Sequence, residues 1–131
     1  MRETTVARVY AETLLELTRE SGQVDAIADE VDGLRGAIEG APELGEFLES
    51  PNVSRSDKKA LLRRSFAGRV SDLTLRFLDL VVDRERQDLL LPILAEFGQL
   101  VQALRNQEVL RVTSAVPLDE TLRSRLRATF A

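Results

Sequence analysis

The stretch from Asp72 to Arg86 limits the possible folds of this chain more than any other. Its apolar residues fall at Leu73, Phe77, Leu80 and Val81, and again at Leu75, Leu78 and Val82. At about 3.6 residues per turn these form two stripes on one helix, separated by a narrow polar strip through Arg76, Asp79 and Asp83. A helix apolar on two faces must be covered from two sides. Either it is wedged among neighbours in a core, or one stripe is kept for a partner.

Five other helices are expected around it. Thr4 or Thr5 can cap a first helix ending near Arg19, where Ser21-Gly22 stops it. Val6, Val9, Tyr10, Thr13, Leu14 and Leu17 form its stripe, and Ala7 and Ala11 form a small-residue strip beside it. A second helix covers about 23–39 with Val24, Ile27, Ala28, Val31, Leu34 and Ile38 on one face. Pro42 opens a short third helix carrying Leu44, Phe47 and Leu48, and Ser50-Pro51 ends it. Ser54 to Asp57 has capping-box spacing before a fourth helix with Leu61, Leu62 and Phe66 inward. The outer face of that helix carries Arg55, Lys58, Lys59, Arg63 and Arg64. Gly68 closes it, Ser71 caps the two-striped helix, and a sixth helix begins between Leu89 and Pro92.

Beyond residue 105 the period changes. Glu108 to Val116 alternates as a strand would, with Leu110, Val112 and Val116 on one side. Pro117 ends it, and Asp119 caps a last helix with Leu122, Leu126 and Phe130. A lone strand leaves its backbone unpaired, so this segment reads as the opening of an incomplete α/β domain. The expected architecture is mainly α. A six-helix bundle over 1–105 is followed by the first strand and helix of a truncated α/β domain over 106–131. Pairing of the orphan strand with a second copy is a route to self-association.

Composition removes most chemistry. The 131 residues include no Cys and no His, so thiolate nucleophiles, disulfides and the commonest general base and metal ligand are absent. Carboxylate pairs such as Asp25 with Asp29, or Glu39 with Glu43, lie on exposed helical faces, where they solubilise. No glycine-rich phosphate loop, serine elbow or metal-ligand cluster is present, so no catalytic, cofactor or metal site is expected. Residues 1–50 hold 4 basic and 12 acidic side chains, net −8, while 51–105 hold 10 and 7, net +3. An overall charge of −4 suits general nucleic-acid binding poorly. No apolar run is long enough to span a membrane and the N-terminus lacks a signal-peptide core, so a cytoplasmic location is expected. What remains is association with other chains.

Four stretches, in order, carry a resemblance. They are Val6-Ala7-Arg8-Val9-Tyr10-Ala11; Ser50-Pro51-Asn52-Val53-Ser54 leading to Lys58-Lys59-Ala60-Leu61-Leu62; Phe77 to Arg86 followed by Leu90-Leu91-Pro92-Ile93-Leu94 and Phe97; and Val112-Thr113-Ser114-Ala115-Val116-Pro117-Leu118. Together they resemble the delta subunit of the rotary ATP synthase, the bacterial counterpart of the mitochondrial oligomycin-sensitivity-conferring protein. The resemblance implies a six-helix N-terminal domain and a smaller α/β C-terminal domain, whose later strands are missing here. It implies a non-catalytic stator subunit at the cytoplasmic face of the bacterial plasma membrane. Such a subunit links the catalytic head to the peripheral stalk without inserting into the membrane. The N-terminal helix of an alpha subunit would lie between the first and fifth helices, and the peripheral-stalk b subunits would meet the C-terminal domain. By position the groove falls to Val6, Ala7, Tyr10, Ala11 and Leu14 with Phe77, Leu80, Val81 and Arg84. On this reading Leu75, Leu78 and Val82 face the core, while Phe77, Leu80 and Val81 form the spare stripe. The alternative is an all-helical RNA-binding factor of the antitermination type, using the basic face of the fourth helix.

Overall fold

A computed structural model describes residues 2–115 together with 125, 127 and 128. It divides into two compact units, Met1–Leu100 and Val101–Ala131. Six α-helices are present among the described residues: α1 (Arg2–Ser21), α2 (Val24–Glu39), α3 (Pro42–Glu49), α4 (Arg55–Phe66), α5 (Asp72–Asp83) and α6 (Leu90–Ala115). A single 3-10 turn, Gln87–Leu89, precedes α6. The mainly helical expectation therefore holds.

Within the first unit, α1 packs on α2, α2 on α3, α4 on α5, and α3 against the 3-10 turn. On α2 the buried residues are Ile27, Val31, Leu34 and Ile38, one side of a regular helix. Gly33 and Gly36 each cost this helix about 1 kcal/mol relative to alanine. Four buried aliphatic side chains at about 1.5–3 kcal/mol each outweigh that cost. Leu90, Ile93, Leu94 and Phe97 bury the start of α6. Pro92 stands at its third position, where a missing N–H costs least.

The helix ends explain the connections. Ser54 and Ser71 cap α4 and α5 as expected, accepting from the backbone N–H groups of Asp57 and Thr74. At the end of α1, Gly22 takes φ +70°, with Gln23 N–H donating to Thr18 O and Gly22 N–H to Arg19 O. This is the closing motif that favours glycine. The same pattern ends α5, where Arg86 N–H donates to Val81 O and Glu85 N–H to Val82 O. There the left-handed position, φ 58°, is filled by Glu85. The two-striped helix thus stops at Asp83, a turn short of Arg86, because the turn forms without a glycine to announce it.

Two sequence expectations fail. Neither Thr4 nor Thr5 caps α1, because the helix already includes Arg2. The strand expected from Glu108 is not formed: α6 continues through Ala115. A helix satisfies its backbone internally, whereas this segment has no neighbouring strand among the described residues. Leu110 and Val112 consequently stand exposed, at 62% and 46%. The proposed pairing of that strand with a second copy has no strand to rest on. The last helix expected through Leu122, Leu126 and Phe130 lies outside the described residues.

Candidate helix-docking groove

Which face of α1 enters the core decides where a partner can bind. Ala7, Ala11, Leu14 and Thr18 are all fully buried. Their spacing of four, three and four residues makes one straight seam. Small side chains at Ala7 and Ala11 let the neighbouring backbone come close. The Thr18 hydroxyl needs no outside partner, because Oγ1 donates to Leu15 O at 2.8 Å.

Apart from Leu14, the larger apolar side chains of α1 therefore turn partly or wholly away from the core. Val9 is 55% exposed and Leu17 39%, while Val6 and Tyr10 are half-buried. Thr13 lies between them, and its Oγ1 donates to Val9 O at 3.0 Å, so its hydroxyl is satisfied within the helix. Val9, Tyr10 and Thr13 meet Leu80 and Arg84 around an open cavity of about 230 Å³ between α1 and α5. The Glu85 turn sets Arg84 at the C-cap of α5, where its side chain borders the cavity.

Of the nine positions assigned to a groove by resemblance, Tyr10, Leu80 and Arg84 line this cavity. Val6 is half-buried beside it on the same helix. Ala7, Ala11, Leu14, Phe77 and Val81 are instead closed inside the chain, Phe77 at 2% and Val81 at 0% exposure. On α5 Leu75, Phe77, Leu78, Val81 and Val82 are all buried, whereas Leu73 and Leu80 of the first stripe are half-buried, so that of the residues read as spare on this helix Leu80 alone among the apolar ones borders the cavity. Val9 and Thr13 were missed as lining residues, although both belong to the apolar stripe of α1 visible in the sequence.

The polar strip of α5 has a structural task of its own. Lys59 Nζ meets Asp83 Oδ1 at 2.8 Å, Arg63 Nη2 meets Asp79 Oδ2 at 2.7 Å, and Arg55 Nη1 donates to Asp83 O at 3.1 Å. These contacts align α4 antiparallel to α5. Lys58 is 5% exposed, its stem laid along apolar surface. Of the basic face of α4, read from sequence as outward, Arg55, Lys59 and Arg63 thus bond to α5, Lys58 is buried, and Arg55, Arg63 and Arg64 stay exposed. No observation favours an RNA-binding reading.

A second polar network fixes the start of α5. The Glu30 carboxylate accepts from Ser71 N–H at 2.9 Å, Ser71 Oγ at 3.0 Å and Thr74 Oγ1 at 2.9 Å. It places negative charge at a helix N-terminus, where the unpaired N–H groups favour it. Thr74 is buried, so Glu30 gives its hydroxyl a partner and locks α2 to α5. Among the described residues no group of His, Cys, Asp and Glu could hold a metal ion.

Comparison with known proteins places the chain among its relatives. The family model described as ATP synthase delta (OSCP) subunit matches residues 6–131. The ATP synthase subunit delta of Desulforamulus reducens is 40% identical over 121 residues, covering 92% of this chain and 67% of that protein. The subunit delta of Gloeobacter violaceus is 37% identical over 122 residues, covering 92% and 66%. That of Desulfitobacterium hafniense is 37% identical over 126 residues, covering 96% and 70%. The chain thus spans about two thirds of the length of these relatives. Such matches over nearly all of its residues establish that the chain belongs to the ATP synthase delta (OSCP) subunit family.

Proposed function

We propose that this chain, a stator subunit of an F-type ATP synthase by family, holds an apolar helix of an alpha subunit in the groove between α1 and α5. The observation that carries the reading is the exposed apolar stripe of α1, with Val9 more than half exposed beside Tyr10, Leu80 and Arg84. A guest helix would cover Val9, Thr13 and Leu17 with anchors spaced i, i+4 and i+7. Ala7, Ala11, Leu14, Phe77 and Val81, buried on the same two helices, hold α1 and α5 in the core rather than meeting the guest. The rim differs in charge: Glu12, Glu16 and Glu20 flank the stripe on α1, and Arg84 stands at the α5 side. Polar rims of this kind set register more than affinity.

The task is mechanical rather than chemical. A stator contact resists torque while the rotor turns, so that proton flow drives ATP synthesis in the head. Covering apolar surface, at about 25 cal/mol per Å², provides tight binding that needs no covalent step. The portion from residue 106 onward would lead to the contact with the peripheral-stalk b subunits. The complex would lie at the cytoplasmic face of the bacterial plasma membrane. Among the described residues no helix is long and apolar enough to cross a membrane.

Calorimetric titration with a peptide of the cognate alpha subunit's N-terminus tests the reading. One-to-one binding with a gain of helical circular dichroism is expected. No heat and no helix gain at tens of micromolar peptide, on the order of a weak transient interface, would remove it.

A further inference from the structure

The α1–α5 groove carries charges that the fold itself does not use. Glu12, Glu16 and Glu20 stand about one turn apart on α1, all exposed, along the edge of the stripe through Val9, Thr13 and Leu17. Like charges four residues apart repel and disfavour a helix. Glu20 also lies in the last turn of α1, where the helix C-terminus disfavours negative charge. Arg8 relieves Glu12, with its Nε at 3.1 Å from Glu12 Oε1. Glu16 and Glu20 enter no ion pair among the described residues. Arg19, in the same last turn, complements the helix C-terminus and pairs with neither.

The far wall has the opposite sign. Arg84 is the one charged residue among those lining the cavity, and it too enters no ion pair among the described residues. The acids of α5 are taken up elsewhere: Asp72 pairs with Arg76, Asp79 with Arg63 and Asp83 with Lys59. Glu85 and Arg86, just past the helix end, are exposed and cancel in charge. The groove thus runs between an acidic edge on α1 and a cation on α5.

We infer, resting on the α1–α5 groove assigned above, that its guest helix carries lysines or arginines along one flank only, laid over Glu16 and Glu20, with its other flank toward Arg84. Repulsion within α1 is a local conflict in the free chain, and a basic flank relieves it. The two walls also fix the direction of the guest. Turning a helix end for end in a groove exchanges its flanks, so the wrong direction sets the guest's cations against Arg84 and away from the glutamates. That repulsion excludes the reversed complex as effectively as the attraction selects the correct one.

Three fluorescein-labelled helical peptides of about eighteen residues provide the probe, sharing leucines at i, i+4 and i+7 and carrying lysine, glutamine or glutamate on one flank. Anisotropy titrations of the chain are expected to rank lysine first and glutamate last, about tenfold apart, with the gap closing as salt rises. Glu16→Gln with Glu20→Gln is expected to bring the lysine peptide down to the glutamine peptide, with a melting temperature unchanged or raised. A nitroxide on the lysine peptide's N-terminus is expected to broaden amides at one end of α1, and at the other end once the lysines are moved to the opposite flank. Equal binding of the three peptides, an order that the double variant leaves unchanged, or a nitroxide position that does not reverse would overturn the inference and leave the groove standing. Binding of none at tens of micromolar would remove both. Self-association of the chain that Val9→Asp abolishes would give the groove to a second copy and overturn the inference as well. The peptide order and the nitroxide reversal are read on the unaltered chain, so they decide even where the variant folds poorly.

Discussion

Val9 and Val81 are the same amino acid in opposite circumstances. Val9 is 55% exposed on α1, whereas Val81 is fully buried in α5. Val9→Asp is therefore expected to leave the melting temperature nearly unchanged and to weaken binding of the alpha-subunit peptide by about tenfold or more. Val81→Asp is expected to cost about 3 kcal/mol or more of stability, because it buries a carboxylate without a partner. Thermal melts of both variants, with peptide titration of the first, check the pair. Glu30 offers a sharper case. Removing its carboxylate in Glu30→Ala leaves the buried Thr74 hydroxyl with only Ser71 Oγ, at 3.3 Å, and takes the partner from Ser71 N–H, for a loss of about 1–3 kcal/mol by urea titration. A loss near zero would mean that water replaces the carboxylate at no cost. Which α1 residues face inward was not legible in the sequence. Two apolar sectors lie side by side on that helix, and periodicity weights the larger side chains. Close packing instead selected the sector containing Ala7 and Ala11.

The six helices were legible because each has a strong stripe, and most have a recognisable start or stop such as Ser54, Ser71, Gly22 or Gly68. The end of α5 was not, since Glu85 occupies a position that normally advertises itself as glycine. Glu85→Gly is expected to raise stability by about 0.5–1 kcal/mol, read from chemical denaturation, by relieving the left-handed backbone. A destabilised variant would mean that the Glu85 side chain contributes more than its backbone costs. The strand read from Glu108 failed for a different reason. Valines at 109 and 112 favour a sheet, but that preference is expressed only where a partner strand exists. Cα secondary chemical shifts from 108 to 115 are expected to be helical, and strand-like values would contradict the fold described here.

The whole molecule contains no chemistry that its residues could perform with a histidine or a cysteine, and its most distinctive surfaces are apolar grooves. The absence of both residue types was fully visible in the sequence, as was the likeness to a stator subunit. The location of the open surface was not, because exposure depends on which stripes the chain covers for itself. The two-striped helix that first suggested a partner is mostly covered by its own neighbours, with Leu73 and Leu80 left half-buried. The spare stripe belongs to α1, and α5 supplies the far wall through Leu80 and Arg84. The most direct measurement is an NMR titration of the isotope-labelled chain with the alpha-subunit peptide, following backbone amides. The largest shifts are expected at Val9, Tyr10, Thr13, Leu17, Leu80 and Arg84, with those of Leu44, Phe47 and Leu61 unmoved. Shifts confined to the α3–α4 face, or none at saturating peptide, would contradict the assignment.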